Sequence, residues 1–487
     1  MNFHAKTIAR IIGNQLFISG FAMLLPLFYA AALGEGPAVG AFAVPAILSL
    51  VLGGTLTRIY RNAPSGITQK DGILLLVIGW LCISLLSALP YLLSGLTHSL
   101  ISALFESISA FTTTGASILR NIGGLPRSIL LWRSLSQWLG GLGILVLMQT
   151  MLPTTYENPG NLILAQHSEV NADNITFSRK SSSRTIYLIY ICLTLLQILL
   201  LRAGGLTWLD SLAFGSATAS TGGINCYSDG LMHVATPYIE AVLAIFMLLA
   251  CTNFTFFIHL IRWDKDKIFH RTELNAYLGI VLTAILLVTA NLRLSGTYDT
   301  VGEAFRYGSF QSVSFMTTTG LVSTDCTAWP SFSQMLLTVL SFIGGCASST
   351  GGGLKVIRVV ILSKIVWRNF STRIHPNAVI TIKTNRQPVP SRIANGVVAY
   401  TLTYFTLLLL GAFLLSFDVA DMQTAFTASA AALNNVGSGF GQMGIFAQYD
   451  TFNRFSQLVL SILMLAGRLE IYAVILPLTR AFWKEKI

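Results

Sequence analysis

The sequence predicts an all-α polytopic membrane protein with ten transmembrane helices. Three observations carry that prediction. Of 487 residues, 53% are hydrophobic and only 10% charged, so the solvent of most of the chain is lipid. Ten apolar runs are each long enough to cross a bilayer, which takes about 20 residues. Between pairs of them, a hydroxyl-rich turn ending in glycine recurs four times.

The runs are read as 11–33, 38–56, 71–95, 129–152, 184–203, 236–261, 275–295, 333–363, 393–416 and 454–480. The first is too long, and lacks the small-residue cleavage site, for a removable signal peptide, which predicts a retained helix. Ten spans put both termini on one side. The segments on that side carry 21 of the 31 basic residues, against seven on the opposite side and its margins. The asymmetry is the positive-inside signal and makes both termini cytoplasmic. A net charge of +11 then reports topology and contact with anionic membrane lipid, with no call for nucleic acid as a partner.

The six cysteines show no CxxC spacing, which argues against a zinc or redox centre. Cys226 and Cys326 both follow the recurrent turns on the outer side; a bridge between them is one reading, apolar packing the other. Gly439-x-Gly441-x-x-Gly444 matches a dinucleotide fingerprint but has no strand before it and no βαβ unit around it. Neither a His-Glu zinc-protease motif nor a Gly-Lys-Ser/Thr phosphate loop is present, so no nucleotide hydrolysis, no catalytic residue and no cofactor-binding residue are expected in this chain.

Residues 1–69 form an N-terminal transmembrane hairpin without a turn of the recurrent kind. Four units follow: pore repeat 1 at 70–152, a cytosolic linker and repeat 2 at 153–261, repeat 3 at 262–363, and a linker and repeat 4 at 364–487. Polar linkers at 153–183, 262–274 and 364–392 separate them on the basic side. The turns are Thr112-Thr113-Thr114-Gly115-Ala116-Ser117, Ala219-Ser220-Thr221-Gly222-Gly223, Thr317-Thr318-Thr319-Gly320-Leu321 and Asn434-Asn435-Val436-Gly437-Ser438, spaced roughly 100 residues apart. Each follows a stretch of helical length too short to span a bilayer: 99–112, Asp210 to Ala219, Glu303 to Met316 and Asp421 to Leu433. Irregular backbone at membrane depth is tolerated only where protein or a water-filled cavity satisfies it. The pattern therefore predicts four outer helix–pore helix–filter–inner helix repeats in pseudo-four-fold array, whose backbone carbonyls replace the hydration shell of a cation.

In that reading Thr113 and Thr114, Ser220 and Thr221, Thr318 and Thr319, and Asn435 and Val436 present the carbonyls. Gly115, Gly222, Gly320 and Gly437 supply backbone freedom. A single Thr-Gly turn reads more readily as a helix C-cap; four in matching context reverse that and favour the filter. Potassium-channel filters carry a second glycine two positions on, where this chain has Ser117, Ile224, Val322 and Gly439. Fewer ion sites and weaker discrimination among alkali cations follow. The residues alone specify a monovalent cation.

These units, turns and N-terminal hairpin resemble the Trk/Ktr/HKT potassium transporter superfamily. Thr-Thr-Thr-Gly-Ala-Ser and Asn-Asn-Val-Gly-Ser-Gly point to its bacterial TrkH/TrkG branch. Asn435-Val436 departs from the hydroxyl pairs of the other turns, but carbonyl coordination demands no particular side chain. The resemblance implies that K⁺ is the transported ion, that the protein sits in the cell inner membrane and works as a homodimer, and that a TrkA-type cytosolic RCK ring binding NAD(H) or ATP/ADP gates it. The linkers 262–274 and 364–392 are the expected docking surface.

Two stretches interrupt the inner helices. In Ile343–Gly353, five glycines (Gly344, Gly345, Gly351, Gly352, Gly353) and three hydroxyl residues predict an unwound segment, since each glycine costs about 1 kcal/mol against alanine inside a helix. Close helix packing through small residues is the alternative; the resemblance assigns the segment to a gating loop below the filter. Lys355 and Arg358, just after it, either snorkel to the cytoplasmic surface or tether the loop. Arg468 lies inside the last run, where a charge costs about 3 kcal/mol or more. It is read as a positive barrier or a partner of the loop, against the alternative of a structural ion pair. Other functions stay open. A K⁺/H⁺ or K⁺/Na⁺ symporter would need an intramembrane carboxylate, for which Glu106, Glu240 and Glu470 are the candidates. A multi-pass membrane enzyme would need a nucleophile or metal constellation that the spans do not offer.

Overall fold

The computed structural model describes residues 4–64, 68–151, 172–263, 271–442, 444, 446 and 448–484. The expected linker over 153–171, and residues 264–270 of the next, lie outside them.

Two long helices, α1 (Ala5–Leu33) and α2 (Gly36–Ile59), open the chain as a hairpin. Small residues let their backbones approach: a Cβ added at Gly53 would stand 2.6 Å from the Phe17 amide nitrogen. The hairpin packs on α3 (Gln69–Leu93) and contributes Met23 and Phe42 to the main core cluster, while Phe21 and Phe28 face outward, 66% and 68% exposed. Large apolar side chains turned outward on helices of this length are the surface lipid requires.

Then come α4 (Leu100–Phe111), α5 (Arg127–Met151), α6 (Ala172–Ala203), α7 (Trp208–Ala219), α8 (Pro237–Ala250), α9 (Phe254–Ile261), α10 (Thr272–Leu294) and α11 (Val301–Met316). The chain continues through α12 (Ser331–Ile343), α13 (Val356–Ile374), α14 (Ser391–Leu415), α15 (Met422–Asn434), α16 (Arg454–Arg468), α17 (Ile471–Ile475) and α18 (Arg480–Lys484). Among the described residues, six helices are long and apolar enough to cross a membrane, or seven if the bent pair α8–α9 counts as one span. The fold is thus a helical multi-pass membrane protein. Three of the ten expected runs are not continuous helices. The run at 236–261 bends by 91° at Cys251–Asn253, where the Asn253 side chain caps α9 by accepting from the Thr255 amide. The runs at 333–363 and 454–480 break at 344–355 and at Leu469–Glu470.

The four short helices α4, α7, α11 and α15 are walled in by the long ones. Each packs on the helix before it and the helix after it: α4 on α3 and α5, α7 on α6 and α8, α11 on α10 and α12, α15 on α14 and α16. Each also touches one helix from the preceding set, α7 meeting α5, α11 meeting α8, α15 meeting α12 and α4 meeting α16. That last contact, between the first short helix and the last long one, closes the circle. Threonine or aspartate caps the N-termini of three of them, Thr207 for α7, Thr300 for α11 and Asp421 for α15.

On the basic side, strands β1 (Lys383–Thr384) and β2 (Gln387–Pro388) form a two-stranded hairpin within the expected linker at 364–392. Asn385 and Arg386 turn it with positive φ, as a tight hairpin demands. The Asn385 side chain accepts from the Thr272 amide at 2.9 Å, and the Asn385 amide donates to the Thr272 hydroxyl at 2.9 Å, so this linker is tied to the start of α10.

Candidate functional site

The four short helices end in the same irregular turn. Its first residue is left-handed: Thr113 (φ 53°), Thr221 (φ 55°), Thr318 (φ 55°) and Asn435 (φ 54°). Two positions on stands a glycine of positive φ: Gly115 (85°), Gly223 (71°), Gly320 (71°) and Gly437 (75°). Backbone hydrogen bonds repeat in register. The first residue's N–H reaches the carbonyl three back, and the next N–H reaches the carbonyl five back, as in Thr114 to Ser109, Gly222 to Ala217, Thr319 to Ser314 and Val436 to Ala431.

This register corrects one sequence alignment. Aligning on Thr-Gly sets Gly222 beside Gly115, Gly320 and Gly437. The backbone puts Gly223 there instead, with Gly222 at the position of Thr114 and Ser220 at that of Thr112. Gly-Gly in the second turn hides the shift, because either glycine satisfies the motif.

The turns touch one another in a closed ring. The space a side chain would need at Gly115 is filled by the Gly222 carbonyl oxygen, at Gly223 by the Thr319 oxygen, at Gly320 by the Val436 oxygen, and at Gly437 by the Thr114 oxygen. Positive φ and this contact together leave room only for glycine. The ring's residues from Thr112 to Thr114, Ser220 to Thr221, Thr317 to Thr319 and Asn434 to Val436 are all buried. A small open pocket adjoins it, bordered by Gly115, Gly223, Gly320, Val436 and Ser438.

Polar side chains brace the ring from behind. Arg133 on α5 pairs with Glu106 on α4 (2.9 Å), both almost fully buried, and its other guanidinium nitrogens donate to the Ser117 hydroxyl (3.0 Å) and the Asn225 carbonyl (3.3 Å). The Glu106 carboxylate also accepts from the Ile118 amide. Gln137 clamps the second turn, donating to the Ile224 carbonyl and accepting from its amide. Ser438 donates to the Gly320 carbonyl (2.7 Å), joining the fourth turn to the third, and Tyr449 to the Gly437 carbonyl (2.8 Å). Arg133 and Gln137 were missed as site residues in the sequence. An arginine within an apolar run is a signal in its own right, and Arg133 lies inside 129–152.

Against the ring's other end lies the break between α12 and α13. Gly344, Ser348, Gly353 and Lys355 take positive φ, and Gly344, Gly345, Gly351 and Gly352 each press against backbone or the Cys251 sulfur. The Thr350 carbonyl accepts from the Thr221 hydroxyl (2.8 Å) and from Arg468 (2.6 Å). The Gly352 amide donates to the Thr318 hydroxyl (2.6 Å). Lys355, buried, turns back to donate to the Gly351 carbonyl. Arg468 is 3% exposed, and its Nε and Nη2 have no partner among the described residues. Glu470 takes positive φ at the second break and pairs with Arg358 (2.7 Å), which lies over the Tyr400 ring. The sequence candidates Gly344 to Lys355 and Arg468 thus meet in space.

Glu240 pairs with Arg306, so all three intramembrane carboxylates are held by arginines. Cys226 and Cys326 are free thiols, so the bridge weighed between them is absent. Among the described residues no His, Cys, Asp and Glu cluster could hold a metal ion.

Fold and site define a polytopic helical membrane protein organised around a closed ring of four carbonyl-bearing turns. The chain belongs to the TrkH family of cation transport proteins, which it matches over residues 42–292 and 275–484. It is 32% identical to the Trk system potassium uptake protein TrkH of Salmonella typhimurium, over 99% of this chain and 100% of that one. It is 29% identical to the Trk system potassium uptake protein TrkG of Escherichia coli, over 99% of each. The crystal structure of the potassium transporter TrkH from Vibrio parahaemolyticus superposes with a TM-score of 0.88 at 30% identity, covering 99% and 100% of the two chains.

Proposed function

We propose that this protein takes up K⁺ across the bacterial inner membrane through a carbonyl-lined filter. The observation that carries the reading is the closed ring of four turns in one register. Ten spans, four repeats and cytoplasmic termini are the arrangement that accommodates it. The coordinating carbonyls are those of Thr113 and Thr114, Thr221 and Gly222, Thr318 and Thr319, and Asn435 and Val436, with Gly115, Gly223, Gly320 and Gly437 as the filter glycines. Backbone oxygens suit a weakly hydrated monovalent cation, because they stand in for its water shell. Segment 344–353 is the gate, held shut by Lys355 and Arg468, whose positive charge below the ring opposes cation passage. A homodimer and a cytosolic nucleotide-binding ring of TrkA type complete the proposal; the name Trk system borne by the relatives supports only that other components exist.

The alternative of a proton- or sodium-coupled symporter is disfavoured by Glu106, Glu240 and Glu470. Each is engaged in an ion pair with an arginine, Arg133, Arg306 and Arg358 respectively, so none of the three is an unpaired carboxylate. The test is cation flux into liposomes containing the purified chain, comparing K⁺, Rb⁺, Na⁺ and Li⁺, with Gly115→Ser alongside. Passive flux preferring K⁺ and Rb⁺, with the preference relaxed by the mutation, is the expected result. Flux that requires a proton or sodium gradient would overturn it in favour of the symporter.

A further inference from the structure

We propose that the loop between α12 and α13 is latched onto the filter itself, so that gate and innermost cation site compete for the Thr318 hydroxyl oxygen. The inference rests on the filter reading above. Its basis is the asymmetry of the four left-handed residues at the inner end of the ring. Thr221 and Thr318, both fully buried, meet the loop through their hydroxyls: the Thr221 hydroxyl faces the Thr350 carbonyl at 2.8 Å as well as the Ser220 carbonyl at 2.6 Å, and the Thr318 hydroxyl accepts from the Gly352 amide at 2.6 Å. Thr113 holds the same turn position and is equally buried, yet its Oγ1 has no partner among the described residues. Asn435 has no hydroxyl, and its amide nitrogen is directed into the wall, onto Thr114 Oγ1 (3.0 Å) and the Met464 carbonyl (2.9 Å).

Three hydroxyls thus hold the same turn position, two of them in contact with the loop and one unpartnered among the described residues. A buried hydroxyl left unsatisfied is costly, so Thr113 marks a place meant for a polar occupant. A dehydrated cation arriving there needs oxygens with free lone pairs. Thr318 Oγ1 already faces a donor, and the Thr350 carbonyl faces the Arg468 guanidinium at 2.6 Å. In the latched state the cation therefore meets donors where it requires acceptors. Releasing the loop returns the Thr318 oxygen to the pore and frees the Thr221 hydroxyl from the loop. An ion that binds the unlatched state better must favour release, and release must by the same factor strengthen ion binding.

The two bonds differ in what their loss leaves behind. Without the Thr318 hydroxyl, the Gly352 N–H is stranded in a buried place. Without the Thr221 hydroxyl, the Thr350 carbonyl keeps Arg468. The experiment is single-channel recording of the full chain in bilayers, with no partner added and Rb⁺ varied on the cytoplasmic side. In the unmodified chain, open probability is expected to rise with Rb⁺. Thr318→Val should raise it roughly tenfold and flatten the Rb⁺ dependence; Thr221→Val should raise it roughly threefold; Thr318→Ser, which restores the hydroxyl, should return it to the starting level. A second readout needs no flux: hydrogen exchange at the Gly352 amide should be fast in Thr318→Val and slow in Thr318→Ser. Unchanged open probability in both valine variants, or unchanged Gly352 protection, with K⁺ preference over Na⁺ intact, would overturn the latch and leave the filter standing. Loss of K⁺ preference in the unmodified chain would instead remove the filter reading, and the latch with it.

Discussion

At the scale of single residues, the second turn offers the sharpest test of the ring, because two adjacent glycines have different surroundings. A Cβ at Gly223 would meet the Thr319 carbonyl with φ at 71°, so both backbone conformation and backbone contact oppose it. At Gly222 the obstacle is Gln137 Oε1 at 2.5 Å, the end of a side chain that can swing aside. Gly223→Ala is therefore expected to abolish K⁺ preference, and Gly222→Ala to reduce it only partly, in parallel liposome flux assays with K⁺ and Na⁺. Equal effects would show the register to be wrong. Behind the first turn, the Arg133–Glu106 pair is a different kind of constraint. Its members are 2% and 1% exposed, so removing one charge strands the other in a dry site. Glu106→Gln should destabilise the protein by about 3–5 kcal/mol, and the double change Glu106→Gln with Arg133→Leu should recover part of that. Thermal unfolding of the two variants and the parent in detergent decides the matter; a Glu106→Gln variant as stable as the parent would show that water reaches the pair.

At the scale of elements, long helices with a broad outward apolar face were legible in the sequence, and helices that turn toward the ring were legible in part. The apolar runs at 11–33, 71–95 and 393–416 correspond to α1, α3 and α14 with ends displaced by a few residues, because their outward faces answer to hydropathy alone. The break at 344–355 was visible as well, since five glycines in so short a stretch oppose a helix. The bend at Cys251–Asn253 was not. Cys-Thr-Asn holds neither Gly nor Pro and only weak helix formers, and tertiary bonds join the Asn253 cap in bending it: the Cys251 carbonyl accepts from the Cys346 amide, and the Phe254 amide donates to the Ser348 carbonyl. A loop from α12–α13 thus replaces bonds that α8–α9 would have made along its own axis. The hairpin α1–α2 behaves as a separate element joined by close packing. Gly53→Leu, which forces a side chain against the Phe17 backbone 2.6 Å away, should separate α1 from α2 and lower the melting temperature while leaving K⁺ preference unchanged. Altered preference would mean that the hairpin bears on the ring.

At the scale of the whole molecule, the ring is closed by residues more than 300 positions apart: Asn435 reaches Thr114, and Gly437 rests on the Thr114 carbonyl. No local signal announces such contacts, and the sequence exposed the motif four times without its register, which only the neighbouring turn imposes. The basic side is linked to this centre through α13. That helix starts just after Lys355, at the end of the loop, and runs to Ile374, and the β1–β2 hairpin beyond it is pinned to the start of α10 through Asn385 and Thr272. Arg373, Lys383 and Arg386 stand exposed along this path. A regulatory ring that binds there would pull on α13, and through it on the bonds between Thr350, Gly352 and the filter. Replacing all three bases with glutamine should then weaken binding of the cytosolic partner roughly tenfold at low salt, with the difference shrinking as salt rises, because exposed charges are screened beyond about 8–10 Å at physiological ionic strength. The partner-independent flux and its K⁺ preference should stay as they were, since none of the three residues approaches the ring. Binding titrations at two salt concentrations, with flux measured on the same preparation, check both halves. Unchanged affinity would move the docking surface elsewhere, and lost preference would show that α13 carries strain into the filter as well as the gate.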